Sequence, residues 1–135
     1  MDFPYAISQI MTPFKDKVIT IIRSVPQGKV ISYGQVALYA GLPRAAREVG
    51  WILRGSKEDM PWWRVINNKG VISIEGNWQA DKRTQKQLLE AEGIDVSETM
   101  TVDMDKYRYK ADETQLKKFQ LSPEYIQKII EKYSV

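Results

Sequence analysis

Residues 32–55 read SYGQVALYAGLPRAAREVGWILRG, and this stretch decides the fold. Ser32 and Gln35 have the S-x-x-Q spacing of a capping box, in which each side chain satisfies a free backbone N–H at the start of a helix. The pattern predicts a helix that begins near Tyr33 and runs to about Tyr39.

A second helix should follow after a short turn. Gly41 can adopt the left-handed backbone that ends the first helix, and Pro43 suits the first position of the next one, because its missing N–H costs nothing there. The second helix reads RAAREVGWILRG and places Ala46, Val49 and Leu53 on one face. Helix, glycine-containing turn and helix together have the spacing of a helix-turn-helix.

The start of this second helix combines small and basic residues. Ala45 and Ala46 let a backbone approach a partner closely, and Arg44 and Arg47 flank that approach. The combination suits a helix that lies in a groove of a nucleic-acid duplex. The alternative is a plain alanine-rich helix with exposed arginines.

Helical periodicity also predicts an element before this stretch and two after it. Asp81–Glu92 should form a polar helix that ends at Gly93, and Ser122-Pro123 should begin a last helix. The first helix is indicated by an apolar stripe at helical spacing, followed by Pro26: Phe14, Val18, Ile21, Ile22 and Val25.

Two short β-type runs, Val65–Ile66 and Val71–Ile74, are joined by the turn residues Asn67–Gly70 and predict a hairpin. Residues 76–79 should form a loop, and a weak apolar–polar alternation over residues 95–109 allows a strand there.

The 135 residues predict one domain, and the complete absence of cysteine and histidine limits its chemistry. A thiolate nucleophile, a histidine base and a zinc site of the usual ligands are all excluded. No pair of carboxylates has a spacing that requires acid–base catalysis. Carboxylates, lysines, tyrosines and hydroxyl side chains remain available for catalysis, so an enzyme stays the least favoured alternative. We expect no catalytic residue, no metal and no cofactor.

The basic residues are concentrated in one third of the chain. Residues 28–70 hold seven basic and three acidic side chains, a net charge of +4, whereas the whole chain carries +3. This distribution favours an anionic partner, with nucleic acid first, although a solvated basic surface would look the same. The N-terminus has no signal-peptide pattern and the chain has no membrane span, so we expect no membrane partner.

Residues 61–65 read PWWRV, and the adjacent tryptophans either fill the core or line a pocket for a flat ligand. Together with GKVISYGQVA and AGLPRAAREVG, the stretch PWWRVINNKGVIS resembles the DNA-binding domain of the O6-alkylguanine-DNA alkyltransferases over residues 14–109. That family carries a Pro-Cys-His-Arg-Val segment whose cysteine accepts the alkyl group from a flipped guanine. Here Trp62 stands at the cysteine position, as in the alkyltransferase-like proteins, which bind alkylated guanines without repairing them.

The resemblance implies a mostly α-helical fold with a small β-hairpin wing, that is, the winged helix-turn-helix of the alkyltransferase C-terminal type. It implies a monomeric lesion sensor that binds double-stranded DNA containing O6-alkylguanine and flags the lesion for nucleotide excision repair proteins. We expect it in the cytoplasm, associated with the nucleoid, of a prokaryote, or in the nucleus of a eukaryote. We divide the chain into residues 1–109, the DNA-binding domain, and residues 110–135, an extension with one docked helix.

The resemblance also assigns DNA-binding residues. Arg47 matches the arginine finger that fills the gap left by the extruded base, and Tyr33 matches the tyrosine that presses on the phosphate backbone. Ala45 and Ala46 would face the minor groove, with Arg44 beside them. Two alternatives stay open: Tyr33 as a residue that caps the helix and packs in the core, and Arg47 in a surface ion pair with Glu48 or Asp59.

For the lesion pocket, the resemblance places Trp62 as the floor. Val65 and the backbone of Ile66 and Asn67 would form its wall or supply hydrogen bonds to the base edge. Trp63 replaces the family's histidine and points either into this pocket or into the core. The alternative for Trp62 is that its ring simply fills the core.

Three further features bear on the pocket. Arg64 should organise the pocket loop by hydrogen bonds and not touch the ligand. Residues 73–76 offer no cation where some relatives face the damaged base with one, and Trp78 either stacks on a ligand or anchors its loop. The competing function is a winged-helix regulator that reads undamaged DNA, which would need no pocket beside its recognition helix.

Overall fold

The computed structural model describes residues 5–72 and 81–133, with the side chains of residues 5–12 and 133 excepted. The predictions for residues 73–80, including Trp78, lie outside this range. Within the described residues the elements follow in this order: α1 (Tyr5–Ser24), β1 (Ile31–Ser32), α2 (Tyr33–Tyr39), α3 (Ala46–Gly55), a 3-10 turn (Trp62–Arg64), β2 (Val65–Ile66), α4 (Lys82–Ala91), α5 (Met104–Tyr107), α6 (Glu113–Lys118) and α7 (Pro123–Tyr133).

Helix α2 has the predicted bounds, because the predicted capping box is present. Ser32 Oγ accepts a hydrogen bond from the Gln35 backbone N–H at 3.0 Å, and Gln35 Oε1 accepts one from the Ser32 N–H at 3.1 Å. Gly41 then turns the chain with a φ of +91°, a left-handed conformation that favours glycine.

Helix α3 begins at Ala46, so the start predicted at Pro43 is wrong. Pro43 and Arg44 lie in a turn that the Ala45 N–H closes by donating to the Leu42 carbonyl at 2.9 Å. The fixed φ of proline suits the second position of such a turn as well as it suits a first helical turn. Arg44 therefore stands on the turn before the helix.

The two strands form a parallel pair in which Ile31 lies opposite Val65 and Ser32 opposite Ile66. Val65 and Ile66 are each only 1% exposed, so β2 is buried on both of its faces. A strand buried on both faces pairs with another buried strand, as parallel strands do. Within the described residues β2 pairs with β1 and Val71 bridges Thr101, so the predicted ladder between β2 and the run that begins at Val71 is wrong there.

The turn predicted after β2 is present. The Asn67 N–H donates to the Val71 carbonyl at 3.3 Å, but Val71 then bridges Thr101 in the antiparallel sense. Gly70 has a φ of +84°, and a Cβ there would collide with the Val102 carbonyl oxygen. The turn at residues 67–70 and the bridge between Val71 and Thr101 are the parts of the predicted wing that lie within the described residues.

The apolar side chains form two clusters. The larger one joins α1, α2 and α3 to α6 and α7, and it places the helix-turn-helix on the C-terminal half of α1. The smaller cluster joins β2 to α4 and the following segment: Val30, Ile66, Ile72, Leu89, Ile94, Val102 and Tyr107.

The C-terminal segment holds two helices where one was predicted. Asp112 accepts a hydrogen bond from the Gln115 N–H at 2.8 Å and so caps the additional short helix α6, while Ser122 caps α7 as predicted. Leu116 and Ile129 pack into the larger cluster, where they are 0% and 1% exposed. None of the described helices is long and apolar enough to cross a membrane.

Candidate nucleic-acid interface

A cleft of about 760 Å³ opens between the start of α2, the start of α3 and the turn after β2. Of the described residues that line it, three are cations and none is a carboxylate. The lining consists of Ser32, Tyr33, Gly34, Gln35, Leu38, Pro43, Ala46, Arg47, Asn67, Asn68, Arg108 and Lys110.

The cleft brings together four of the residues predicted to touch DNA or the lesion. Arg44 and Ala45 lie on the preceding turn, where Arg44 is exposed and Ala45 packs against the larger cluster. The four residues in the cleft are Tyr33, Ala46, Arg47 and Asn67.

Tyr33 belongs both to the core and to the cleft. It is the first residue of α2, it packs against the larger cluster, and its ring passes close to Gly50 of α3. Burial raises the pKa of the Tyr33 hydroxyl, against the opposing effect of Arg54. The hydroxyl is therefore protonated at neutral pH and able to donate a hydrogen bond to an anion.

Arg47 lies exposed in the first turn of α3. Neither of the two ion pairs considered for it, with Glu48 or Asp59, is present among the described residues, and the Asp59 carbonyl accepts hydrogen bonds from Arg23 at 3.0 and 2.8 Å. Trp51, one turn further along α3, is 43% exposed and was not predicted as a surface residue.

The two tryptophans of PWWRV diverge. Their ring planes lie at 88° with centroids 6.0 Å apart. Trp62 packs against the larger cluster and Trp63 against the smaller one, where Trp63 Nε1 donates to Glu92 Oε2 at 2.7 Å. Both side chains are half-buried, and neither lines the described part of the cleft.

Arg64 organises this loop in the way that was predicted. Its Nε and Nη2 donate to the Glu92 carboxylate, the shortest contact being 2.8 Å, and its Nη1 donates to the Val25 carbonyl at 2.8 Å. Burial disfavours the Glu92 carboxylate, but hydrogen bonds from Arg64, the Gly28 N–H and Trp63 outweigh this effect and hold the pKa of Glu92 below its usual value.

Val65 and Ile66 lie in β2 with their side chains inside the molecule. Gln85 donates through Nε2 to the carbonyls of Trp63 and Val65 at 3.0 Å each, so it ties α4 to the PWWRV loop. This role of Gln85 was not predicted, because one glutamine in a polar helix looks like a solvated residue. Asn67 Oδ1 accepts a hydrogen bond from the backbone two residues later, which fixes the turn beside the cleft.

Arg108 and Lys110, which enter the cleft from the segment after α5, were not predicted from the sequence either. The available signal was their spacing, since side chains two residues apart share one side of an extended segment. Among the described residues, no group of three potential metal ligands comes together.

The chain matches known proteins along most of its length. Residues 13–94 match the family model described as the DNA-binding domain of 6-O-methylguanine DNA methyltransferase. A DNA base-flipping protein of Vibrio parahaemolyticus is 44% identical over 104 residues, which cover 74% of this chain and 99% of the relative. An alkyltransferase-like protein of Schizosaccharomyces pombe is 38% identical over 91 residues, which cover 66% of this chain and 83% of that protein.

The fold has a match among solved structures too. The crystal structure of the S. pombe alkyltransferase-like protein in complex with damaged DNA containing O6-carboxymethylguanine superposes with a TM-score of 0.67 at 34% identity, over 74% of this chain and 97% of that one. The mostly helical fold with a small sheet is therefore confirmed as alkyltransferase-like. The chain belongs to the family of the 6-O-methylguanine DNA methyltransferase DNA-binding domain, as one of its alkyltransferase-like members.

Proposed function

We propose that the chain is a non-enzymatic sensor of O6-alkylguanine in duplex DNA. It flips the damaged base out of the helix and flags the lesion for nucleotide excision repair. The observation that carries the proposal is the cleft at the start of α3, which joins Tyr33, Ala46 and Arg47 in a cationic recess. Two similar proteins support this proposal: the DNA base-flipping protein of V. parahaemolyticus, and the S. pombe protein whose structure contains damaged DNA.

The duplex docks with the start of α3 in its minor groove. Ala45 and Ala46 are small enough for the backbone to approach the groove floor, and Arg44 on the turn before the helix contacts a neighbouring phosphate. Arg47 enters the base stack, because a planar guanidinium can stack on bases and donate hydrogen bonds to their edges. Tyr33 presses on the phosphate backbone and helps the nucleotide to rotate outward.

The flipped base occupies a pocket beside the PWWRV loop, with Trp62 as its floor. The Trp62 ring stands perpendicular to the Trp63 ring, and a hydrogen bond to Glu92 holds Trp63 in place. Stacking on the aromatic surface of Trp62 suits an extruded base with an added alkyl group.

The remaining wall of this pocket comes from the chain that follows the loop. Val65 supports this wall with a buried side chain, because its backbone groups are already bonded to Gln85 and Trp62, whereas Ile66 contributes through its backbone and Asn67 from the turn. Backbone groups at this place read the edge of the base by hydrogen bonds.

The proposed sensor transfers no alkyl group. The chain has no cysteine, and an alkyl acceptor must be a strong nucleophile, which an indole is not. Trp63 offers an N–H donor and no basic nitrogen that could activate a neighbour. We further propose that the protein acts as a monomer without a cofactor, at the nucleoid or in the nucleus, where nucleotide excision repair proteins meet it on DNA.

The decisive experiment measures equilibrium binding to two duplexes that differ only by one O6-methylguanine, at a stated salt concentration, because phosphate contacts are salt-sensitive. We expect binding to the lesion to be tighter by about tenfold or more, about 1.4 kcal/mol. Equal affinity for both duplexes would overturn the sensor and favour a regulator of undamaged DNA. Transfer of a labelled methyl group from the lesion to the protein would overturn the non-enzymatic assignment.

A further inference from the structure

The segment after α5 runs into the cleft although it follows the part of the chain that the family model matches, residues 13–94. It is fixed beside β1 by two backbone hydrogen bonds, from the Val30 N–H to the Tyr107 carbonyl at 2.9 Å and from the Tyr109 N–H to the Val30 carbonyl at 2.7 Å. These bonds place Arg108 against the start of α2 and leave Lys110 exposed at the rim.

The Arg108 guanidinium is held in one orientation by neutral oxygens. Nη1 donates to Gln35 Oε1 at 2.8 Å, and Nη2 donates to the Asn68 carbonyl at 2.9 Å. Gln35 is itself fixed, because its Oε1 also closes the capping box and its Nε2 donates to the Tyr109 carbonyl at 2.7 Å. The arginine is therefore preorganised before any ligand arrives.

Nothing among the described residues neutralises this charge. The ion pairs of the described residues do not include Arg108, and the cleft lining adds Arg47 and Lys110 with no carboxylate. A guanidinium has five N–H donors, and the two hydrogen bonds of Arg108 leave the others for a ligand. A concave site with fixed, unneutralised cations attracts an anion, and the planar fork of arginine matches phosphate oxygens.

We propose that Arg108, with Lys110 at the rim, binds a backbone phosphate of the DNA strand that lies across the cleft. The inference rests on the proposed function and adds a contact from beyond residues 13–94, the part of the chain that the family model matches. Phosphate contacts position a protein on its duplex, and they carry no information on the base. Arg108 therefore strengthens binding to damaged and undamaged DNA equally, while Arg47 and the pocket distinguish the two.

The test compares three variants of the full chain, Arg108→Gln, Lys110→Gln and the control Lys106→Gln. Lys106 lies in α5, two residues before Arg108 and outside the cleft, with its Nζ 3.9 Å from Asp95, so the control removes one charge without removing a cleft cation. Affinities for the lesion duplex and the unmodified duplex are measured by fluorescence anisotropy at several salt concentrations.

We expect Arg108→Gln to weaken binding to both duplexes by the same factor, roughly fivefold or more, and to reduce the slope of log K against log salt by about one. Lys110→Gln should act in the same direction with a smaller effect, and Lys106→Gln should match the wild type. Thermal unfolding monitors the fold of each variant. If Arg108→Gln does not fold, Lys110→Gln decides, because its side chain makes no hydrogen bond or ion pair with the described residues.

Three results would overturn the proposal. One is an unchanged affinity and salt slope in Arg108→Gln and Lys110→Gln. Another is a loss confined to the lesion duplex, which would make Arg108 a reader of the base. The third is calorimetric binding of inorganic phosphate that Arg108→Gln abolishes while DNA affinity stays unchanged, which would assign the cleft to a free phosphate compound.

The proposed function and this inference fail in different measurements. If the wild type binds both duplexes equally, the lesion sensor fails, and the effect of Arg108→Gln can still be read on either duplex. If the wild type distinguishes the duplexes and both variants behave like the wild type, the phosphate contact alone fails.

Discussion

Arg47 and Arg64 are both arginines of the basic third of the chain, and their surroundings separate their roles. Arg64 is enclosed, with its side chain 15% exposed and its donors directed at Glu92 and the Val25 carbonyl. Arg47 is exposed at the start of α3 and has no ion pair with the described residues. The first charge stabilises a loop, and the second is available to a partner.

Arg47→Ala should weaken binding to an O6-methylguanine duplex by about tenfold or more, because no planar cation then fills the gap left by the extruded base. The fluorescence of 2-aminopurine beside the lesion should rise less on binding, since fewer bases are extruded. Anisotropy and steady-state fluorescence measure the two effects.

Arg83→Ala is the matched control for this variant, because Arg83 is exposed on α4 and lies outside the cleft. It should bind like the wild type, apart from a small loss of general attraction to DNA. Wild-type affinity together with a wild-type fluorescence change in Arg47→Ala would refute the role of Arg47 as the finger.

Trp62→Cys should not create an alkyltransferase. A thiol needs a neighbouring base or cation that lowers its pKa, and Trp63 beside it has only an N–H, already donated to Glu92. Incubation with a duplex that carries a radiolabelled O6-methylguanine should leave the protein unlabelled. Stoichiometric transfer of the label would show that Trp63 is no obstacle.

At the scale of elements, the ion pair between Arg64 and Glu92 joins the 3-10 turn to the end of α4 at 2.8 Å. The Gly28 N–H, in the chain before β1, donates a hydrogen bond to the same Glu92 carboxylate at 3.0 Å. Glu92→Gln should therefore lower the free energy of unfolding by about 3 kcal/mol, because it leaves a buried guanidinium without its counter-charge. Denaturant unfolding at neutral pH measures the loss.

The same carboxylate makes stability depend on pH. The pKa of Glu92 is lower in the folded protein, so its contribution is complete above the pKa of the unfolded chain and is lost as the pH falls through the folded value. The difference in unfolding free energy between the wild type and Glu92→Gln should shrink from about pH 5 downward. A difference that stays constant down to acid pH would argue against this linkage.

Residues that cap or terminate a helix predicted the helix ends that they determine. The capping box of Ser32 and Gln35 placed α2, and Gly93, with a φ of +87°, follows α4 as expected. The prediction failed where one residue is compatible with two local structures. Pro43 suits both a turn and the start of a helix. The partner of β2 was also missed, because β1 is distant in the chain and its parallel pairing with β2 leaves no local signal in the sequence.

At the scale of the whole molecule, the C-terminal segment completes the larger cluster. Leu116 in α6 is fully buried, and the Tyr125 hydroxyl donates to the Leu38 carbonyl of α2 at 2.6 Å. The division into a DNA-binding domain, residues 1–109, and an extension, residues 110–135, stays a prediction, and the packing of α6 and α7 into the larger cluster favours one cooperative unit. We expect denaturant unfolding in a single transition.

Leu116→Ala should lower the unfolding free energy of the whole chain by about 3 kcal/mol, because it opens a cavity in the cluster that also packs α1 and α2. Lys118→Ala, at an exposed position of the same helix, is the control and should change it by less than about 0.5 kcal/mol. A separate early transition in Leu116→Ala, with the main transition unmoved, would mean that the segment folds on its own.

The sequence by itself determined the helix-turn-helix, the family and the absence of a thiol acceptor, because caps, glycine turns, motif order and composition are local or additive properties. Most of the proposed DNA-binding residues could be named in this way too. Only the tertiary structure decided that Trp62 and Trp63 pack on different clusters, that Gln85 holds their loop, and that Arg108 and Arg47 line the same cleft. These relations join residues far apart in the chain, and burial, pairing and charge across such distances exist only once the chain is folded.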